Sequence, residues 1–328
     1  MSGADIPYQL RPNKFIDRQL FVELLARALI PRGSDRYIYL SMGGNHLIDH
    51  YAIYNSLGIQ AQFSFDLNPN AVARQKFNRP TDATICETMN SADLPSRMDE
   101  IAARFPRKKN LIVWLDYTTT DRKTQLQEVV QTLLRLRHGD IFRVTLNAQA
   151  PASDKWKNAG FNSPGHARAD LLRQELETFM PTDVALIGED EFASVLARCV
   201  ELAVKTAEAQ RPDIIFRPAL LTSYKDGVRM LTVTCTASDP NQTQLFPTEL
   251  FWKWKFACKG WKDINYIFAP LLSSRERHKL DSNIKRGPAR MLRALRFLPA
   301  ADQVRSVAAI QSYRTFHRYY PTFRHVAE

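Results

Sequence analysis

Apolar residues fall along this chain in two alternating rhythms, one spaced for helices and one unbroken. From Asn13 to Ile30, Ile16, Leu20, Leu24 and Ala28 recur at four-residue intervals, which predicts a helix capped by Asn13 and ended by Pro31 and Gly33. Tyr37 to Leu40 is a short apolar and aromatic run that stops at Ser41-Met42-Gly43-Gly44, a strand followed by a tight turn. A helix is expected from Asn45 to Leu57, with Gly58 at its end, and a second strand from Ala61 to Phe65 running into Asp66. Asn70 to Phe77 reads as helix, Ala83 to Cys86 as a weaker third strand and Ala92 to Arg104 as helix. Asn110 to Leu115 is continuously apolar and closes on Asp116, as suits a strand buried on both faces of a parallel sheet. Leu126, Val129, Val130, Leu133 and Leu136 line one face of a helix from Thr124 to Leu136, and Ile141 to Leu146 supplies a fifth strand.

Strands alternating with helices in this way make a doubly wound α/β pattern. A further helix is expected from Asp190 to Glu208. The strand-like runs Ile214 to Tyr224 and Val228 to Thr236 then flank Lys225-Asp226-Gly227, and Asp-Gly between two such runs signals a hairpin. Ala150 to Gly165, rich in Pro, Asn, Ser and Gly, reads as a long surface loop. Beyond Ser238 the pattern changes, with a proline-bounded run from Tyr266 to Leu272 and helices around Ser274 to Ile284 and Ala289 to Phe297. The chain thus divides into an N-terminal helical segment (1–34), an α/β domain (35–237) and a C-terminal region (238–328).

Charge changes this picture most. The net charge is +11, and residues 251–328 hold 16 Lys and Arg against 5 Asp and Glu, so the entire excess lies in the last quarter. Such asymmetry points to a polyanionic partner, nucleic acid or an acidic protein. A hydrophobic fraction of 45% over 328 residues is that of an ordinary globular protein. No stretch approaches the roughly 18 apolar residues of a membrane span, and the first residues lack a secretory layout, so the expectation is a cytoplasmic protein with no membrane partner. Cys86, Cys199, Cys235 and Cys258 stand singly, the pattern of free thiols rather than of a metal or disulfide framework. Oligomeric state is not legible.

An open parallel sheet holds its ligand beyond the carboxyl ends of its strands. Gly43 and Gly44 after the first strand lack side chains that would keep a ligand from the backbone. Asp66 follows Gly43 by 23 residues, close to the spacing of ~20 at which a carboxylate meets ribose hydroxyls. Asp66 could equally cap the helix that follows, and Asp116 could cap a turn. His46, Asp49 and His50 fall at helical spacing, but HxxDH alone is a weak metal motif, and no metal site is assigned.

A glycine turn, an acid ending strand two, a polar end to strand three and an acid closing strand four together resemble the class I S-adenosylmethionine-dependent methyltransferases. The Asp-Gly hairpin adds to the likeness, which covers roughly Asp35 to Ala237. The resemblance implies a Rossmann-like, mostly parallel sheet with an antiparallel hairpin at its end, and S-adenosylmethionine as cofactor. It places Ser41, Gly43 and Gly44 beside the methionine part, Asp66 on the ribose and Cys86 and Glu87 near adenine. Asp116 would open onto donor and acceptor. The loop from Tyr39 to Asn45 offers only an adjacent glycine pair where the family spaces its glycines after an acid. The strand-four loop, Asp116-Tyr117-Thr118-Thr119-Thr120, lacks the prolines with which many amino-group methyltransferases hold a nitrogen. For a hydroxyl acceptor, Asp116 or His46 could serve as base.

In the C-terminal region, Phe251 to Phe256 and Tyr313 to Tyr320 interleave aromatics with cations. Lys253, Lys255, Arg286, Arg290, Arg314 and Arg318 are therefore candidate nucleic-acid contacts, the aromatics serving as stacking faces. Aromatics at this spacing can instead be core, with the cations as a solvated face. The first functional reading is a methyltransferase acting on a macromolecule docked by the basic region. The others are an inactive methyltransferase-like binding module within a larger assembly and, less well supported by a bare Gly-Gly pair, a nicotinamide dinucleotide fold.

Overall fold

The computed structural model describes residues 11–29, 33–151, 163–242 and 253–321, which form two compact units. Among the described residues the larger unit takes in 21–223 and 228–265 and the smaller 11–20, 224–227 and 266–321, so helix α1 (Pro12–Leu29), the hairpin with its tip at 224–227 and the strand at 264–267 contribute to both.

The larger unit is the expected doubly wound sheet. Its elements are β1 (Tyr37–Met42), α2 (Ile48–Leu57), β2 (Gln62–Asp66), α3 (Pro69–Phe77), β3 (Thr84–Thr88), α4 (Leu94–Ala103), β4 (Asn110–Asp116), α5 (Arg122–Leu133) and β5 (Ile141–Asn147). They continue with α6 (Pro164–Leu176), α7 (Phe192–Gln210) and the hairpin β6 (Ile215–Asp226) and β7 (Val228–Ser238), and β8 (Ile264–Ile267) completes the sheet. The strand order is β3-β2-β1-β4-β5-β7-β6-β8, with β1 to β5 parallel and β7 antiparallel to β5. Gly227 turns the hairpin at φ +100°, a conformation that costs glycine nothing.

Because side chains alternate along a strand, register sorts the sheet into two faces. Ile38, Leu40, Phe63, Phe65, Val113, Leu115, Phe142, Val144, Val233 and Cys235 make one face, a dry core shared with α4, α5, α6 and α7. The opposite face carries Tyr39, Ser41, Ser64, Trp114, Arg143, Thr145, Thr232 and Thr234, all buried. Some of these polar groups are paired across strands. Trp114 Nε1 donates to Thr145 Oγ1 at 3.0 Å, and an Arg143 nitrogen donates to Thr234 Oγ1 at 2.8 Å. The Arg143 guanidinium lies 4.4 Å from the ring centre of Phe21 and 4.6 Å from that of Trp114. Two aromatic faces thus replace part of the hydration that a buried cation loses.

Several boundaries differ from the sequence reading. Asn13 does not cap α1; its amide donates to Lys225 O and to Asp226 Oδ1, at 3.0 and 2.8 Å, and its Oδ1 accepts from Ala269 N within the smaller unit. Helix α2 begins three residues late because Leu47 takes a left-handed conformation (φ 49°) and buries its side chain against Val72 and Cys86. The long loop expected at Ala150 to Gly165 gives way to helix at Pro164, where Ser163 accepts from His166 N; residues 152–162 lie outside the described ones.

In the smaller unit, α8 (Ser274–Asp281), α9 (Pro288–Leu295) and α10 (Gln303–Phe316) follow one another, with α9 packed on both neighbours. Leu280, Met291, Leu292, Leu295, Ile310, Tyr313 and Phe316 are buried. The sequence reading missed α10, whose start is set by Asp302 accepting from Arg305 N at 2.7 Å.

Candidate active site at the carboxyl ends of the strands

Strand order reverses between β1 and β4, so the chain leaves their carboxyl ends in opposite directions and opens a crevice there. Ser41 and Met42 end β1 and Asp116 ends β4, and the Asp116 backbone N donates to Met42 Sδ at 3.2 Å. Ser41 is 1% exposed, and its hydroxyl has no hydrogen-bond partner among the described residues. A buried hydroxyl left unbonded is costly, so this one points to a group that completes it.

One strand over, Asp66 is half-buried. Its Oδ1 accepts from Asn68 N at 2.8 Å, and Asn68 rather than Asp66 caps α3 by accepting from Asn70 N. Asp66 Oδ2 has no protein donor among the described residues. Local bonds therefore fix the carboxylate while leaving one oxygen for a ligand.

The glycine loop is tighter than a bare turn. A Cβ at Gly43 would collide with Ser64 Oγ and the Leu47 side chain, while the Gln75 amide donates to Gly43 O and Ser64 Oγ bonds Gln75 Oε1 at 3.0 Å. The missing side chain at Gly43 is thus needed for packing against β2 and α3. Gly44 O accepts from Leu47 N at 3.1 Å, and His46 is exposed on the same loop.

Cys86 and Glu87 are neighbours on β3 and therefore face opposite sides of the sheet. Cys86 lies in the small cluster with Leu47 and Val72, and burial pushes its thiol pKa up to about 11 against the opposing charges of Arg79 and Lys76. Partial burial raises the Glu87 pKa, but hydrogen bonds from Arg104 and Arg97 outweigh it and hold the carboxyl below its usual range. Glu87 is therefore committed to two arginines of the following helical segment.

Sequence reasoning missed the residues that brace this edge. Arg122, buried at the start of α5, donates to Asn147 O at 2.8 Å and Gln149 O at 3.1 Å, and pairs with Glu175 at 3.1 Å. Asn147 ends β5 as Asp66 and Asp116 end their strands, a signal available in the sequence. Thr118, Thr119 and Thr120 are exposed, and Asn147 Nδ2 approaches Thr118 O at 3.4 Å. His50 is fully buried edge-on to Tyr39, with ring centres 5.0 Å apart. Its pKa falls to about 4 because burial outweighs the Asp49 charge and the Phe63 backbone. Among the described residues no group of three or more His, Cys, Asp or Glu is placed to hold a metal.

Five of the interleaved aromatics of the C-terminal region, Trp254, Phe256, Tyr313, Phe316 and Tyr320, are core. Trp254 and Phe256 are buried edge to face, with ring centres 5.5 Å apart, while Lys253 and Lys255 are exposed in the larger unit. Phe251 and Trp252 lie outside the described residues. In the smaller unit Tyr313, Phe316 and Tyr320 are buried, and the half-buried Arg314 donates to Ile284 O at 3.2 Å. Arg286, Arg290 and Arg318 are exposed.

The family model described as "Putative O-methyltransferase" matches residues 6–328. The chain belongs to this family. Its mostly parallel sheet with an antiparallel end is the one that the resemblance implies. Comparison with curated proteins finds no match. Among solved structures the chain is similar to Trm1 from Pyrococcus horikoshii with S-adenosyl-L-methionine, at 14% identity and a TM-score of 0.44, over 70% of this chain and 56% of that one. It thus spans just over half of that protein. It is also similar to an O-methyltransferase from Bacillus cereus in complex with SAH (13% identity, TM-score 0.38, 71% of this chain and 83% of that one). A 16S rRNA adenine methyltransferase variant from Catenulisporales acidiphilia matches at 12% identity and a TM-score of 0.34, over 69% and 94% of the two chains. Likenesses this distant transfer no residue role. No helix among the described residues is long and apolar enough to cross a membrane.

Proposed function

We propose that this methyltransferase moves a methyl group from S-adenosylmethionine to a hydroxyl oxygen of a macromolecule docked by its basic C-terminal region. The observation that carries the reading is the polar set at the carboxyl ends of β1, β2 and β4: the unbonded Ser41 hydroxyl, the available Asp66 oxygen and Asp116. These groups fit the cofactor. Asp66 would accept from the ribose hydroxyls, Ser41 and the Gly43-Gly44 backbone would hold the methionine part, and the buried Cys86 wall would face the adenine. Glu87, held by its arginines, is left without a contact.

Bound S-adenosylmethionine supplies a methyl carbon whose bond to sulfur breaks, the electron pair staying on sulfur, as the bond to the acceptor oxygen forms. The acceptor hydroxyl must then give up its proton. Asp116, at the mouth of the crevice, takes that role in our reading, and the exposed His46 is the other candidate. Orientation does the rest, since placing a nucleophile in line with the methyl removes most of the entropic barrier.

Assays of radiolabelled methyl transfer to fractionated cellular RNA and protein test this. Asp116→Asn is expected to lower turnover by about a hundredfold with cofactor binding intact, and His46→Gln by far less. Binding of cofactor without transfer to any fraction would instead favour the inactive binding module.

A further inference from the structure

The three acids among the described residues of α8, α9 and their flanks are in local use. Glu276 completes the capping box of α8 with Ser273, Asp281 accepts from Tyr313 Oη at 2.7 Å, and Asp302 caps α10. Lys279, Lys285, Arg286, Arg290, Arg293 and Arg296 are exposed, and none forms an ion pair among the described residues. Three of them, Arg290, Arg293 and Arg296, recur at three-residue intervals along α9 and its end, opposite the buried Met291, Leu292 and Leu295. Directly beyond stand Phe297 and Leu298, 46% and 47% exposed, in a stretch otherwise arginine-rich.

Like charges gathered without partners repel one another and lower stability, and an exposed aromatic costs solubility. A stripe of cations leading to an aromatic face is what single-stranded nucleic acid uses, phosphates on the cations and a base on the ring. The buried Tyr313, Phe316 and Tyr320 cannot play that part, whereas Phe297 can. Hydroxyl chemistry narrows the choice further. RNA carries a sugar hydroxyl at every nucleotide, and DNA lacks it.

We infer that the outward cations of α9 and the turn before it, together with Phe297, form a docking surface for single-stranded RNA, the macromolecular acceptor class of the methyltransferase. This rests on the proposed O-methyl transfer for the choice of RNA, and on the surface itself for the binding. Arg286, Arg290, Arg293 and Arg296 track phosphates; Arg314, bonded to Ile284 O, is a strut behind them.

Fluorescence anisotropy of the full chain with an unstructured RNA of about 12 nucleotides tests the surface. Binding should weaken steeply with salt. Arg290→Glu, Arg293→Glu and Arg296→Glu combined should lower affinity by more than about tenfold and flatten the log–log salt slope by about 2. Phe297→Ala should lower affinity by about tenfold with the slope unchanged. Thermal melting reports whether each variant folds, and the three alanine replacements serve where charge reversal disturbs it. Unchanged affinity and slope in the folded triple variant would overturn the inference. So would tighter binding of duplex RNA, of DNA of the same sequence or of a polyglutamate peptide. Calorimetry with S-adenosylmethionine on the wild-type chain separates the two readings: RNA binding without cofactor binding sinks the enzyme and leaves the surface standing.

Discussion

Arginine does opposite work in the two units. In the sheet unit Arg143 is 0% exposed, clasped by Phe21 and Trp114 and bonded to Thr234, and Arg122 is buried under the carboxyl ends of β5. In the helical unit Arg290, Arg293 and Arg296 stand outward without ion pairs among the described residues. A cation that has lost its water is retained for what it holds in place; a cation that keeps its water and lacks a partner is retained for what it meets. The same residue type is architecture in one unit and surface in the other.

Substitutions that treat the two classes alike should break the comparison. Arg143→Ala removes a buried side chain from between two rings and strands Thr234, so urea unfolding should show a loss of about 3 kcal/mol. An effect under about 1 kcal/mol would mean that the face repacks without the cation. Acid should act on the same face. The His50 pKa is about 4 in the fold against 6.5 in the unfolded chain, so its contribution is complete above pH 6.5 and is lost as pH falls towards 4. The loss amounts to about 3 kcal/mol. Asp140 works in the other direction. Burial lifts its pKa from 3.8 to about 6 against hydrogen bonds from Leu111, Arg137 and Asn110, so its folded form gains stability as pH falls through that window. Only single variants separate the two, and His50→Phe should flatten the acid side of a stability–pH profile that Asp140→Asn leaves steep. Gly43→Ala, which drives a methyl into Ser64 and Leu47, should cost about 2 kcal/mol in the same unfolding measurement. At the small end, Arg290→Ala should change stability by less than about 0.5 kcal/mol. A larger loss would move Arg290 into the architectural class.

Much of the sheet was legible because strands buried on both faces read as unbroken apolar runs, and Asp66 and Asp116 stood out by closing two of them. Their carboxyl ends were cut short. Ser41 and Met42 belong to β1, and Glu87 and Thr88 to β3, only because neighbouring strands pair with them. Register also hid Ser64 and Gln75, which brace the glycine loop, since residues eleven apart meet there only through the turn of α3. Helix α6 carried a readable start in Ser163-Pro164, outweighed by the polar run before it. The segment 252–256 alternates aromatic and lysine strictly, a half-buried pattern, and Trp254 and Phe256 are indeed inside. Which cations would be structural could not be read at all, because that depends on which side of a sheet or helix faces water.

In the proposed function, the carboxyl ends of β1, β2 and β4 hold S-adenosylmethionine through Asp66. Isothermal calorimetry of the cofactor with wild-type protein and with Asp66→Ala tests it most directly. The wild type should bind, and the variant should bind at least about tenfold more weakly, with the folded state retained. Equal affinities for the two proteins would contradict it.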